Sequence, residues 1–250
     1  MVARDEDLIN AYQTETGQRI YTRAVFEVGL WKSEEKLIKK YAKTTDLVLD
    51  LGTGSGRVAF ALKDLGYTKV IATDLSSELI KNANYIKENN NYQGIDFYLT
   101  KNQSLKFLKN NSVDFAFYSF NGLMCVPLQD ERIKILKEVE RVLKKNSYFI
   151  FTAKMIEGDL FLEKYIKEQE EKQLLRKLDP RIELIGDSIY LIDGKEGFLH
   201  FSYHQELEDL IKKYTNFEVI ETKTRDELAN ENEFVKKFSD NTTFWVLRKI

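Results

Sequence analysis

The sequence predicts an α/β fold, a doubly wound and mainly parallel sheet with helices on both faces. Strand-like and helix-like patterns alternate from Asp46 to Phe151, which is the signature of parallel strands joined by crossover helices. The first strand pattern ends in Asp50 and opens into glycines at 52, 54 and 56. The second, Val70-Ile71-Ala72-Thr73, ends in Asp74. A glycine turn after one strand and an acid at the tip of its neighbour, about 20 residues on, mark a nucleoside-binding βαβ unit.

Each element follows from its own pattern. Strands are expected at 46–51, 69–73, 95–99, 113–118 and 147–152, and helices at 56–65, 77–89 and 129–143. In the last of these helices Ile133, Leu136, Val139, Val142 and Leu143 repeat at helical spacing, so the helix serves packing. The segment Ser104 to Asn110 is expected to make a helical turn. Beyond Phe151 the pattern changes: a charged helix runs from Leu160 to Leu178 before Asp179-Pro180, and 188–201 reads as a hairpin about Asp193-Gly194. Ser202-x-x-Gln205 then suggests a capping box for a helix to Tyr214, followed by a strand at 217–221, a helix over 225–238 and a last strand at 243–248. Residues 154–200 are therefore expected to form an insertion. Residues 1–43, with Tyr12, Tyr21, Phe26 and Trp31 and a helix from Ser33 to Tyr41, stand before a domain at 44–250.

Composition narrows the function classes. Apolar residues make up 43% of the 250, sufficient for one ordinary core with an appendage. With 38 basic against 40 acidic residues there is no global field to hold a phosphate backbone, so bulk nucleic-acid binding is not expected. The single Cys125 allows no internal disulfide, and no apolar run is long enough for a membrane span. A cytoplasmic protein without membrane contact is expected, its oligomeric state left open.

The run Val48-Leu49-Asp50-Leu51-Gly52-Thr53-Gly54-Ser55-Gly56-Arg57 resembles the class I S-adenosylmethionine-dependent methyltransferases, a likeness extending over roughly Thr45 to Phe151. The turn is Gly-x-Gly-x-Gly with a preceding acid, whereas nicotinamide binders carry Gly-x-Gly-x-x-Gly. An acid at that place repels a diphosphate and suits a sulfonium ligand with an ammonium group. The resemblance implies a Rossmann-like sheet of seven strands with an antiparallel last strand, and residues 154–200 as a lid. It also implies S-adenosylmethionine as cofactor, with Asp50 serving the methionine amino group, Asp74 the ribose hydroxyls and Leu75 the adenine face. Gly52, Thr53, Gly54, Gly56 and Ser119 complete the cofactor side. An acid usually follows the third strand to accept the adenine amino group; Thr100-Lys101-Asn102-Gln103 has none, and Asn102 is the substitute.

The acceptor side is less legible, because in-line methyl transfer needs alignment and dryness more than a strong base. Asn121, at the end of the fourth strand, Tyr203 and His204 after the hairpin, and Tyr21 from the N-terminal segment are the candidates, His204 also as a base. An Asn-Gly turn explains Asn121 without any function. The segment lacks the Pro-Pro-Tyr of adenine- and glutamine-directed enzymes, and Cys125 lacks the prolyl-cysteine setting of pyrimidine C5 enzymes. His200 and His204 have no third ligand nearby, so no metal is expected. The preferred acceptor is a small molecule methylated at O or N. A tRNA nucleoside methyltransferase and a silent S-adenosylmethionine-binding regulatory subunit are the alternatives.

Overall fold

The computed structural model describes residues 12–101 and 104–250. Two N-terminal helices, α1 (Glu15–Glu27) and α2 (Lys32–Tyr41), precede β1 (Leu47–Leu51), α3 (Arg57–Asp64), β2 (Lys69–Asp74), α4 (Ser77–Asn89) and β3 (Ile95–Leu99). The chain continues through β4 (Val113–Tyr118), a 3-10 turn (Gly122–Cys125), α5 (Gln129–Val142) and β5 (Leu143–Ala153). Then come α6 (Leu160–Leu174), β6 (Asp187–Ile192), β7 (Lys195–His200), α7 (His204–Tyr214) and β8 (Phe217–Thr224). The short helices α8 (Arg225–Leu228) and α9 (Glu233–Phe238) lead to β9 (Thr243–Lys249).

Seven strands form one sheet in the order β3-β2-β1-β4-β5-β9-β8, and β6-β7 make a separate hairpin. Only β9 runs against its neighbours. The order reverses between β1 and β4, which pair in parallel at the centre. Ligands in open α/β sheets bind in the crevice that such a reversal leaves at the carboxyl ends of the strands.

Alternation along each strand sends side chains to two cores. Leu49, Leu51, Phe149, Phe151 and Trp245 pack with α5 and α7 on one face. Val48, Phe115, Phe117, Ile150 and Phe244 pack with α2 and α3 on the other. Asp50 shares a face with Val48 and therefore looks toward the N-terminal helices. Trp31 anchors that side with no exposed surface, a burial worth about 1.5–3 kcal/mol or more for so large a side chain.

Several local expectations are corrected. The helix over 225–238 is broken at 229–232, because Asn232 accepts from the Val235 amide to start α9. The break also delivers the buried Glu231 to the start of α2, where its carboxylate accepts from the Lys32 and Ser33 amides at 3.1 and 2.7 Å. The Ser202-x-x-Gln205 box does not form. Tyr203 caps α7 without a side-chain bond, and Glu157 takes the His204 amide at 2.8 Å instead. β5 starts at Leu143, immediately after α5, and a bulge about Asn146 (φ 65°) shifts its register against β4. The 104–110 segment makes a turn closed by the Leu108 amide on Leu105, with no helix. α6 stops at Leu174 because Arg176 adopts φ 55°, several residues before the proline.

Candidate active site

The glycine turn after β1 is held by bonds of its own. The Thr53 amide donates to the Thr73 carbonyl at 2.9 Å, tying the turn to β2, and the Thr53 hydroxyl donates to Asp50 Oδ2 at 2.6 Å. Gly52, Gly54 and Gly56 have φ of 60°, 57° and 96°, in the region that disfavours side chains. A Cβ at Gly52 would lie 2.6 Å from the Tyr118 ring, and one at Gly56 2.5 Å from Phe60. Gly52 and Gly54 border a cavity, whereas Gly56 starts α3 and does not.

Asp74 bends back over the same turn. Its Oδ2 accepts from the Gly54 amide and its Oδ1 from the Ser76 amide, both at 2.8 Å. Burial pushes its pKa up and these amides pull it back. Asp50 is 1% exposed, and burial lifts its pKa to about 7 against the opposing pull of the Thr53 hydroxyl and Arg57. Its Oδ1 carries no hydrogen bond from the described residues.

A buried ion pair lies behind Asp50. The Arg57 guanidinium donates to both oxygens of Glu34 at 2.7 Å, to the Gly29 carbonyl at 2.8 Å and to the Ser119 hydroxyl at 2.8 Å. Glu34 also accepts from the Ser119 hydroxyl and from the Trp31 amide. This network joins the N-terminal helices to the glycine turn and to the end of β4.

Beyond Ser119 the chain turns sharply. Phe120 and Asn121 both have φ 58°, an unusual pair for residues with side chains. The Asn121 amide donates to the Thr152 hydroxyl, and the Thr242 hydroxyl donates to Asn121 Oδ1, each at 2.7 Å. These bonds hold the Phe120 ring against Tyr21, Trp31 and Phe238.

The cavity encloses about 260 Å³. Asp50, Gly52, Thr53, Gly54, Asp74 and Leu75 line it together with Tyr12, Tyr21, Asn121, Cys125, Tyr190 and Leu199. α1 lies over the turn, with the Thr22 hydroxyl 2.9 Å from that of Ser55. The hairpin supplies Tyr190 and Leu199, and the Tyr12 and Tyr190 hydroxyls meet at 3.5 Å. Burial raises the pKa of Tyr12 and Tyr21, of Tyr190 to about 12 and of Cys125 to about 11, so all four are protonated at neutral pH.

Of the residues expected to line a site, Asp50, Gly52, Thr53, Gly54, Asp74, Leu75, Ser119, Asn121 and Tyr21 border this cavity. Asn102 lies outside the described residues. Tyr203 and His204, expected on the acceptor side, do not line it. The Ile156 amide bonds the Ser202 carbonyl, and this join sets α7 on the far face, where the His204 ring packs 5.6 Å from Trp245 and bonds Glu157. His200 is buried between Asp187 at 2.8 Å and Glu206 at 3.0 Å. Tyr190, Leu199, Arg57 and Glu34 escaped the sequence reading. Tyr190 alternates with the exposed Leu191 in the hairpin, which signals an inward face but not what it faces. Among the described residues no cluster of three His, Cys, Asp or Glu is placed for a metal, and no helix is long and apolar enough to cross a membrane.

The turn suits S-adenosylmethionine on chemical grounds. A buried carboxylate whose Oδ1 takes no bond from the described residues matches an ammonium group, a second carboxylate matches vicinal hydroxyls, and Gly52 and Gly54 bring bare backbone to the cavity wall. Comparison with known proteins agrees. A family model described as a methyltransferase domain matches residues 42–215. An uncharacterised protein of Methanocaldococcus jannaschii is 29% identical over 76% of this chain and 68% of its own. The ribosomal protein L11 methyltransferase of Fusobacterium nucleatum is 32% identical over 47% of this chain, and the match spans only 36% of that protein. An S-adenosylmethionine-dependent methyltransferase structure from Methanosarcina mazei superposes with a TM-score of 0.67 at 24% identity, covering 86% of this chain and 97% of its own. The chain thus belongs to the S-adenosylmethionine-dependent methyltransferases.

Proposed function

We propose that this enzyme methylates a small-molecule acceptor at oxygen or nitrogen. The observation that carries the reading is the roofed cavity, which brings the glycine turn and its two acids together with aromatic side chains of the N-terminal segment and the β6–β7 hairpin. Such a chamber suits a compact acceptor better than a folded protein or RNA surface.

S-adenosylmethionine, when bound, supplies an electrophilic methyl group on a sulfonium. Asp50 would take the ammonium of its amino-acid end and Asp74 the ribose, with Leu75 against the base. Tyr12, Tyr21 and Tyr190 exclude water and orient the acceptor, and the Asn121 amide, fixed by Thr242, offers Nδ2 as a donor. In this reading residues 1–43 serve as a cover and 154–200 as a lid.

The test is to supply methyl-labelled S-adenosylmethionine with separated small-molecule, protein and RNA fractions of a cell extract. Label is expected in the small-molecule fraction, and Tyr190→Ala is expected to slow that transfer while leaving cofactor affinity within about threefold. Label confined to protein or RNA overturns the proposal. Cofactor binding with label in no fraction favours the silent regulatory subunit.

A further inference from the structure

Arg57 borders the cavity beside Asp50, yet makes no hydrogen bond to it. Its contacts run elsewhere: two to Glu34, one to Gly29 and one to Ser119, with the Trp31 ring 5.3 Å from the guanidinium carbon. Glu34 has no exposed surface and Arg57 only 8%. Burying an ion pair demands desolvation that apolar side chains of similar size would avoid, so packing alone is a weak reason for it. Its placement next to a buried acid supplies a stronger one.

A carboxyl screened from water stays protonated unless a positive charge is near, and a protonated carboxyl is a poor partner for an ammonium ion. A free arginine beside it would solve the first problem and create a second, by closing a salt bridge on the carboxylate. Glu34, Ser119 and the Gly29 carbonyl work against that by taking the Nη donors. The positive charge then acts on Asp50 through space while Oδ1 is left for a ligand. We propose that Arg57, fixed by Glu34, is a positioning residue for cofactor recognition that keeps Asp50 an unencumbered carboxylate available to the ammonium group of the cofactor. The inference rests on the reading of Asp50 as the acceptor of that group.

The charged neighbours of Asp50 are Arg57 from α3, Glu34 from α2 and Asp74 from β2; Arg57 lowers its pKa and the two acids raise it. Tyr118 on β4 and Tyr21 on α1 border the same cavity. The two members of the ion pair therefore act on Asp50 in opposite senses, and this gives the test its form.

Calorimetry of S-adenosylhomocysteine, which keeps the amino group, is run from pH 5.5 to 9. Wild-type affinity should fall on the acid side as Asp50 takes up a proton. Arg57→Met should move this acid limb up by about one pH unit or more, a roughly tenfold loss of affinity at a fixed pH below it. Glu34→Gln should move the limb down, and Arg57→Lys should hold it near the wild-type position. If Arg57→Met does not fold, Glu34→Gln and the double variant Glu34→Gln/Arg57→Met, which leaves no lone buried charge, carry the test. The double variant should still move the limb upward. Variants that weaken binding by one factor at every pH, with the limb unmoved, assign the pair a purely structural role and overturn the proposal. Asp50→Asn is the control for the underlying reading: it should abolish the limb, and an unchanged limb would show that Asp50 is not the group being read.

Discussion

Asp74 shows how much one side chain can be asked to do. Both of its oxygens already hold backbone amides that shape the turn, and each has a second lone pair for a ribose hydroxyl. Asp74→Ala should weaken S-adenosylmethionine and its demethylated product alike, by about 1.5 to 3 kcal/mol, the range for lost charge-assisted hydrogen bonds. Calorimetry on the folded variant decides it, and unaltered affinity removes Asp74 from the site. That the acids at 50 and 74 border one cavity was legible, because their placement depends on strand ends and spacing within one βαβ unit. Arg57 was in plain view after the third glycine, but its partner Glu34 comes from another helix and Ser119 from another strand. No local pattern records a contact made across the fold.

At the level of elements, the turn from β4 into the 3-10 helix leaves no room for a side chain at its glycine. A Cβ on Gly122 would stand 1.9 Å from Tyr118 Cε2, and the same ring edge is what leaves Gly52 no room for a side chain. Gly122→Ala should therefore push Tyr118 toward the glycine turn, destabilising the protein by about 1 to 3 kcal/mol as overpacking does, and weakening the cofactor in parallel. Chemical denaturation measures the first, and in a Tyr118→Ala background the same change should be nearly neutral. Element types were readable from periodicity, and their ends less so. The break at 229–232 exists because Glu231 and Asn232 cap two different helices, and Glu231 does so for one almost two hundred positions earlier. A capping box was expected at 202–205 from four residues; an acid on another segment, Glu157, took its place.

Taken whole, the molecule joins a sheet that alternation made legible to a roof whose internal contacts it did not. The parallel order follows from rules on crossovers and twist that need only the pattern of strands. The roof joins two segments far apart in sequence, the stretch from Tyr12 through α1 and the β6–β7 hairpin, so Tyr12 and Tyr190 meet only in the folded protein. The hairpin is fastened to the domain through His200. Burial works against the charge on this imidazole, but its bonds to Asp187 and Glu206 outweigh that, so its pKa is raised. The charged form is thus favoured in the folded state. The stability it contributes is complete below the ordinary value of 6.5 and lost as pH climbs through the raised one. Hydrogen exchange of the 187–200 amides, corrected for intrinsic rate, should accelerate over that climb, and a His200→Gln variant should show no such titration. Protection independent of pH in the wild type would show that the hairpin is held by other means.

On the proposed reading, the acid at the end of β1 links the stability of the protein to its ligand. Asp50 is kept from water and, among the described residues, has no counter-ion in direct contact, a configuration that disfavours folding on its own. The cofactor's ammonium group would complete it. By mass action the fold then gains RT ln(1 + [L]/Kd), about 2.7 kcal/mol at a hundredfold excess over Kd. On this reading, the ligand-free protein is expected to open to proteases more readily than the ligand-bound one.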